Sequence, residues 1–143
     1  MADYEITEIG EGWQEVEKEI LKTIDDTAAV LGKPFPDEGL VLRVTRGGEY
    51  LGGIVCEVLQ GWLYVKYLGI EPAARGSGIG GELMRRAEAW AADHGLVGTY
   101  VDTFDFQAPD FYTRLGYREM GRLPVTKGHA ARIFYAKPFG GSL

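Results

Sequence analysis

A short stretch in the middle of the chain, residues 75–81, has the composition of an anion-binding loop. It reads Arg-Gly-Ser-Gly-Ile-Gly-Gly and follows a predicted strand at residues 62–70. Glycines let the backbone approach a phosphate without a Cβ in the way and adopt positive φ, so that several amides can point at one anion. A helix is predicted to start directly after the loop, and its first amides and dipole would add to this effect. The stretch therefore predicts a pyrophosphate-binding site.

Two other phosphate-binding motifs compete for the same glycines. Gly76, Gly78 and Gly81 match the dinucleotide pattern G-x-G-x-x-G, and Asp102 lies at about the distance of its ribose-binding acid. That fold begins with its fingerprint strand and continues with several parallel strands, for which too little chain remains here. The ATPase phosphate loop fails because Glu82 stands where it needs a lysine. A dinucleotide-binding oxidoreductase stays as a less favoured alternative.

Several side chains are candidates for proton transfer. Four of them could accept a proton, namely Glu57, Asp102, Asp105 and His129. Glu57 interrupts an apolar strand, so it is either an edge residue or a carboxylate that points into a cleft, and edge placement is favoured. His129 has a suitable pKa range but lies in a loop, where a histidine is more often exposed. The residues alone leave the base open.

Tyr112 is placed by a short predicted helix. Pro109 suits the first turn of this helix and Gly116 suits its end. If Phe111 and Leu115 face the core at i and i+4 spacing, Tyr112 turns about 100° away from it. Its hydroxyl would then be free to face a ligand.

Apolar periodicity and turn residues predict the elements that carry these groups. A first strand runs from Tyr4 to Ile9, and a helix with Trp13, Val16, Ile20 and Ile24 on one face follows and ends near Gly32. The remaining elements are strands at residues 40–45, 50–59 and 62–70 in an antiparallel meander, the helix after the loop, a strand at residues 97–103 parallel to residues 62–70, the short helix, and strands at residues 117–122 and 132–136.

Length and composition favour one domain, residues 1–143. The formal net charge of −6 argues against nucleic acid as a partner, and it suits either a cationic acceptor or plain solubility.

Cys56 is the only cysteine, so no intramolecular disulfide can form and a reducing cytoplasm is expected. Residues 1–10 lack the basic start and apolar run of a signal peptide, and no stretch has the length and apolar character of a membrane span.

Two motifs resemble those of the GNAT superfamily of acyl-CoA-dependent N-acyltransferases. The first is R-x-x-G-x-G, matched by Arg75, Gly78 and Gly80 within the stretch that starts at Leu68. The second is N-x-x-A-x-x-F-Y followed by G-F/Y, which resembles residues 105–112 together with residues 116–117. Asp105 stands where asparagine is common, so this position offers only acceptor oxygens.

The resemblance implies both the fold and the co-substrate. The fold would be α/β, more strictly α+β, with a mixed sheet of about six to seven strands that is splayed in its centre and flanked by helices. Acetyl-CoA would be the co-substrate, without a metal, and its pantetheine arm would lie in the splay. The residues implied in cofactor binding are Leu68, Gly69, Ile70, Arg75, Gly76, Ser77, Gly78, Ile79, Gly80 and Gly81.

The resemblance also implies the activity, a direct transfer of an acetyl group from acetyl-CoA to a primary amine. Tyr112 would be the general acid, since a phenol with a pKa of about 10 can protonate a thiolate whose thiol has a pKa near 8.5. Glu57, Asp105 and His129 remain candidate bases. The acceptor would be a small-molecule or peptidyl amine, a cationic one being compatible with the charge, and the protein a monomer or homodimer. The alternative is a non-catalytic acyl-CoA-binding sensor or scaffold.

Overall fold

The structure is a computed structural model that describes residues 3–140. These residues fall into two compact units, residues 3–35 and residues 36–140. Within the part of the chain described, no helix is both long and apolar enough to cross a membrane.

The first unit contains one long helix. This helix, α1, spans Trp13–Val30 and ends just before Gly32, which has a φ of 73°, as predicted from the glycine. Residues 3–10 form no regular secondary structure, so the predicted strand from Tyr4 to Ile9 is wrong. A strand is held by hydrogen bonds to a neighbouring strand, and an alternation of apolar residues does not by itself supply that neighbour.

The second unit is built on a mixed six-stranded sheet. Its strands are β1 Gly39–Arg46, β2 Glu49–Leu59, β3 Trp62–Ile70, β4 Gly98–Phe104, β5 Arg118–Arg122 and β6 Arg132–Pro138, in the spatial order β1-β2-β3-β4-β6-β5. Among these strands the β3–β4 pair is parallel and the other four pairs are antiparallel. A doubly wound dinucleotide fold needs a series of parallel strands, so this sheet excludes the dinucleotide alternative.

The central strands β3 and β4 separate towards one end of the sheet. Their pairing runs from Trp62 opposite Gly98 to Val65 opposite Val101 and ends there. Beyond that point β3 stays paired with β2 up to Ile70, while β4 stays paired with β6. Each strand therefore follows its outer neighbour, and a gap opens between residues 66–70 and residues 102–104. We call this gap the splay, and it confirms the predicted central opening of the sheet.

Two helices belong to this unit, α2 at Ile79–Asp93 and α3 at Pro109–Arg114, and a 3-10 turn at Pro72–Ala74 precedes α2. The buried core lies between one face of the sheet and these helices. We call that face the core face; its cluster comprises Ile54, Cys56, Val58, Leu63, Val65, Leu83, Met84, Ala87, Ala91, Val101, Tyr112, Tyr117, Ile133 and Tyr135. Because side chains alternate along a strand, the intervening residues lie on the opposite face, which we call the second face.

A buried polar network holds the chain at the end of α3. The Tyr117 hydroxyl donates to Oε2 of Glu88 at 2.9 Å and lies 2.5 Å from Oγ1 of Thr99. Nζ of Lys137 donates to Oε1 of Glu88 and to the carbonyl of Leu115, both at 2.8 Å. The network links α2, β4 and β6 to the residues that follow α3, and it therefore fixes where α3 lies on the core face.

Candidate active site

The glycine-rich loop leads into a helix start whose amides have no side-chain cap. The first helical hydrogen bond runs from the Glu82 amide to the carbonyl of Gly78, at 3.1 Å. The N–H groups of Ile79, Gly80 and Gly81 precede this bond and have no partner within the helix. Gly78 is the N-cap residue and contributes no side chain. The arrangement suits the binding of a pyrophosphate.

The path of the loop requires glycine at two positions. Gly76 has a φ of 78° and Gly78 a φ of 86°, a region in which a Cβ is strained. A Cβ on Gly78 would meet no atom within 4 Å, so the space in front of the helix start is open. Ser77 donates its hydroxyl proton to a carbonyl of the preceding 3-10 turn at 2.5 Å, and Nε of Arg75 donates to the carbonyl of Ile70 at 3.1 Å. Arg75 thus ties the loop to the end of β3, and Ser77 ties it to the 3-10 turn.

The end of β3 presents backbone groups to the splay. The Glu71 amide donates to the carbonyl of Leu51 on β2, at 2.8 Å. Successive residues of a strand direct their backbone groups to alternate sides, so Gly69 also faces β2, whereas Leu68 and Ile70 face the splay. These two residues are the ones expected from the sequence to bond an extended arm of the co-substrate.

Tyr112 lies in the core, which is the reverse of the predicted orientation. Its side chain is 7% exposed, while Phe111 and Leu115 are only partly buried. The Tyr112 ring stacks on Tyr135, with ring centroids 5.9 Å apart. Phe111 packs instead at the glycine-rich loop, where its Cζ would lie 3.3 Å from a Cβ placed on Gly80. Phe111 and Leu115 do pack against the core cluster, but the prediction that Tyr112 turns away from it was wrong. A helix this short is oriented by what flanks it, here the network around Tyr117.

The Tyr112 hydroxyl nevertheless remains available. Burial, and to a smaller extent the negative charge of Asp102, raises the pKa of Tyr112 to about 12, so the phenol stays protonated at neutral pH. No buried side-chain oxygen or nitrogen among residues 3–140 lacks a hydrogen-bond partner, and no described group bonds this hydroxyl. The oxygen is therefore not sealed within the core, since a fully buried hydroxyl without a partner would be among those groups.

Asp102 is fully engaged within the protein and is not a free base. Its carboxylate accepts a hydrogen bond from the Tyr64 hydroxyl at 2.6 Å and from Nε of Arg132 at 2.8 Å, and a second guanidinium nitrogen lies 2.6 Å away. The side chain is 13% exposed. Burial and the bond to Asp102 raise the pKa of Tyr64 to about 12. Tyr64, Asp102 and Arg132 thus form a hydrogen-bonded cluster on the second face, at the point where the splay begins.

Glu57 lies in the middle of the second face, not at an edge. Its strand, β2, has β1 on one side and β3 on the other, so the favoured edge placement was wrong. The nearest cation is Nζ of Lys66, 3.8 Å from Oε2, and both side chains are about 40% exposed (38% and 40%). The glutamate is opposite Tyr64 in the strand register, and Tyr64 is in turn opposite Tyr100.

Asp105 directly follows β4, and His129 lies in the loop between β5 and β6. The Asp105 amide donates to the carbonyl of Ala131 at 2.9 Å, and its carboxylate accepts the Ala131 amide at 3.3 Å. His129 is exposed, and its amide closes a turn onto Thr126. These contacts give both residues a role in shaping the connection. They do not bring either side chain into contact with Tyr112 or Glu57.

The structure thus brings together the loop at residues 75–81, the end of β3 and α3. It also reveals polar groups that the sequence analysis did not single out, Tyr64, Tyr100 and Arg132. The alternation of side chains along their strands could have placed these residues on the face of Glu57 and Asp102. That inference also needs the register between the strands, which the sequence does not give. Within residues 3–140, no three His, Cys, Asp or Glu side chains are placed to hold a metal ion.

Comparisons with known sequences agree on one family. The model of the acetyltransferase (GNAT) family matches residues 4–117. The blasticidin-S acetyltransferase of Streptomyces morookaense is 47% identical over 78 residues, which cover 54% of this chain and 57% of that protein. The chain thus spans somewhat more than half the length of this curated relative.

Solved structures share the fold. A protein of Agrobacterium tumefaciens assigned as an acetyltransferase superimposes with a TM-score of 0.84 at 26% identity, covering 96% of this chain and 100% of that one. An aminoglycoside 6'-N-acetyltransferase crystallised with coenzyme A gives a TM-score of 0.64 at 22% identity, over 80% of each chain. Together with the six-stranded mixed sheet, these matches confirm the predicted fold.

Proposed function

This chain belongs to the GNAT acetyltransferase family, and we propose that it transfers an acetyl group from acetyl-CoA to a primary amine in a ternary complex. One observation carries the proposal: the uncapped start of α2 and the splay lie at the two ends of one connection, residues 71–78. A long co-substrate can therefore have its anionic part at the helix and its reactive end between the strands. We further propose that residues 1–143 act as one catalytic domain.

The backbone would hold the co-substrate. The amides of Ile79, Gly80 and Gly81 are the donors for a pyrophosphate, and the open space at Gly78 leaves room for it. The backbone groups of Leu68 and Ile70 that face the splay suit a pantetheine arm, which carries amides of its own. Acetyl-CoA supplies the activated acetyl thioester, and a backbone amide near Leu68 would polarise its carbonyl.

Tyr112 would assist the departure of the thiol. Its hydroxyl stays protonated because burial raises its pKa to about 12. We propose that this protonated phenol faces the splay, where it can donate a hydrogen bond to the charge that develops on sulfur. The surrounding aromatic rings of Tyr117 and Tyr135 limit its movement, which favours a fixed direction of donation.

Glu57 would accept the proton that the amine loses, through a water molecule where the distance requires one. It lies on the second face with its side chain 40% exposed, and Nζ of Lys66 is 3.8 Å from its carboxylate. Asp105 is bonded to Ala131, and His129 lies in an exposed turn, so both are weaker candidates for the base. Within the described residues Glu57 is thus the best-placed proton acceptor of the three.

The acceptor would be a small molecule that carries an amine, with peptidyl amines as the second class. The name of the Streptomyces relative, a blasticidin-S acetyltransferase, supports the first class. The identity of 47% is confined to 78 residues, so it supports a class of acceptor and not a particular one.

Thiol release from acetyl-CoA in the presence of a panel of amines tests the proposal. We expect release that depends on the amine and rises with its concentration. A sensor or scaffold would bind acetyl-CoA, as measured by calorimetry, but would release no thiol with any amine. That second result would favour the non-catalytic alternative.

A further inference from the structure

Three residues form a row across adjacent strands on the second face. Glu57 on β2 is opposite Tyr64 on β3, and Tyr64 is opposite Tyr100 on β4. Side chains directly opposite each other on one face have Cβ atoms about 5 Å apart. The row lies one step before Val65 and Val101, the last paired residues before the splay. A molecule bound on it would thus lie beside the opening in which the acetyl group is proposed to be held.

The two tyrosines form a stacked aromatic pair, in which one face of each ring lies against the other ring. Their rings are stacked, with centroids 4.9 Å apart and planes 19° from parallel. Trp62 and Tyr100 form an edge-to-face pair with ring centroids 6.2 Å apart. The outer faces of such a pair attract cations through their negative charge, and another flat ring can extend the stack.

The charge on this row is negative and is only partly compensated. Lys66 is at the long limit of ion pairing with Glu57, at 3.8 Å, and both side chains are more than a third exposed, so the pair is weakened by solvent. Arg132 is directed to Asp102 instead. The Tyr100 ring lies within the electrostatic influence of both carboxylates, which, after burial, raise its pKa. Its hydroxyl has no bonding partner among the described residues and can accept a hydrogen bond from a ligand.

We propose that Glu57, Tyr64 and Tyr100 form the acceptor subsite and that it takes a protonated amine attached to a flat ring. The ammonium group would lie against the Glu57 carboxylate and the Tyr100 hydroxyl, and the ring would lie against the tyrosine pair. This inference rests on the proposed function for the identity of the reaction, but the binding of the amine does not require acetyl-CoA.

Binding of two matched probes, benzylammonium and benzyl alcohol, to the full chain without acetyl-CoA tests the proposal. The two share ring and size and differ in charge. We expect benzylammonium to bind about 10-fold more tightly, as a cation near a carboxylate and aromatic faces should. Cyclohexylmethylammonium, which keeps the charge but has no flat ring, should bind more weakly than benzylammonium. Equal affinity for the three probes would overturn the proposal.

Variants locate the effect on the row. Glu57→Gln should remove most of the preference for benzylammonium over benzyl alcohol, whereas Glu49→Gln, at the start of the same strand, should leave it unchanged. Tyr100→Leu should weaken binding of both ring-bearing probes, and Tyr50→Leu should not. Lys66→Met should strengthen benzylammonium binding, since it removes the cation that competes for Glu57. If Glu57→Gln and Glu49→Gln have the same effect, the charge of Glu57 does not recognise the amine.

The two proposals can fail separately. Selective binding of benzylammonium with no thiol release for any amine would support the proposed subsite and contradict the proposed transferase activity. Thiol release with amines, combined with equal affinity for the three probes, would support the proposed transferase activity and contradict the proposed subsite. Circular dichroism of each variant distinguishes loss of binding from loss of folding, and Glu57→Gln, which keeps size and shape, is the variant least expected to unfold.

Discussion

The Tyr64 hydroxyl donates a 2.6 Å hydrogen bond to Oδ1 of Asp102, a residue 38 positions further along the chain. Asp102 is the first residue of β4 beyond the last parallel pair, Val65 with Val101. Arg132, on the strand at the other side of β4, binds the second carboxylate oxygen at 2.8 Å. Side chains from three strands therefore meet at the point where the backbone pairing between β3 and β4 ends, and they set where the splay begins.

This cluster predicts that replacing Arg132 lowers the free energy of unfolding more than replacing Tyr64. Arg132→Met leaves a carboxylate that is 13% exposed without its cation, and we expect a loss of about 2–3 kcal/mol in the free energy of unfolding. Tyr64→Phe removes one bond from a carboxylate that keeps its cation, so the loss should be nearer 1 kcal/mol. Urea denaturation measures both. Arg118→Met, at an exposed position of β5, is the matched control and should change little; a larger loss for Tyr64→Phe than for Arg132→Met would contradict the account.

A second prediction concerns the glycine-rich loop. Gly78→Val forces a β-branched side chain into a φ of 86°, at a cost of roughly 1–3 kcal/mol. The loop should relax away from this conformation, and affinity for acetyl-CoA should fall about 10- to 100-fold. Gly80→Val should also weaken binding of acetyl-CoA, because a Cβ added at this position would lie only 3.3 Å from the Phe111 ring.

The control for both glycine variants is Gly121→Val on β5, where a Cβ would meet nothing within 4 Å and φ is ordinary. It should bind acetyl-CoA like the parent chain in calorimetric titration. Folded Gly78→Val with unchanged affinity would show that the start of α2 does not hold the co-substrate.

Most of the elements of the second unit could be predicted from sequence because their signals are local. The two-residue turn at Gly47–Gly48 requires positive φ at both positions, and glycine at both marks it. The glycine-rich loop was likewise predicted from composition. The orientation of Tyr112 was not, because the position of α3 depends on two hydrogen bonds to residues remote in the chain. Lys137 donates to the carbonyl of Leu115, and Glu88 accepts from the Tyr117 hydroxyl.

The second face shows the same limit. Alternation places Glu57, Tyr64, Tyr100 and Asp102 each on one side of its own strand, but only the register places them next to one another. One extra residue on β3, Lys66, lies opposite the step from Val55 to Cys56 and shifts that register beyond the row. The ion pair between Asp102 and Arg132 removes Asp102 from the candidate bases. This pair could therefore be found only from the structure.

A third prediction concerns Tyr112. Tyr112→Phe keeps the ring that packs on Tyr135 and removes the proton donor. If the hydroxyl acts only as charge develops on sulfur, kcat and kcat/KM should fall together by about 10²- to 10⁴-fold, and affinity for acetyl-CoA should barely change. Tyr50→Phe serves as the control. A variant that keeps full kcat while chemistry limits turnover would make Tyr112 a packing residue.

A fourth prediction concerns stability at alkaline pH. Burial raises the pKa of Tyr112 from 10.0 to about 12. A group whose pKa is higher in the folded state stabilises the fold fully below its unfolded pKa, and this contribution is lost as pH rises through the folded value. The free energy of unfolding should therefore fall between about pH 10 and pH 12, by an amount on the order of 2–3 kcal/mol for this residue.

The comparison of Tyr112→Phe with Tyr50→Phe isolates that contribution. Denaturation curves collected across this pH range should fall less steeply for Tyr112→Phe than for the parent chain, and Tyr50→Phe should follow the parent. Parallel curves for all three proteins would mean that the Tyr112 phenol is not held in its neutral form by burial.

The most direct test of the account is to follow the acetyl group itself. The chain is incubated with isotopically labelled acetyl-CoA and an amine, and the amine is then analysed by mass spectrometry while the released thiol is measured. We predict labelled N-acetyl product in a one-to-one ratio with thiol, and strongly reduced amounts of both with Gly78→Val. Release of thiol with the label recovered in free acetate and none in the amine, across a panel of flat-ring, aliphatic and peptidyl amines, would contradict the claim that this chain is an amine acetyltransferase.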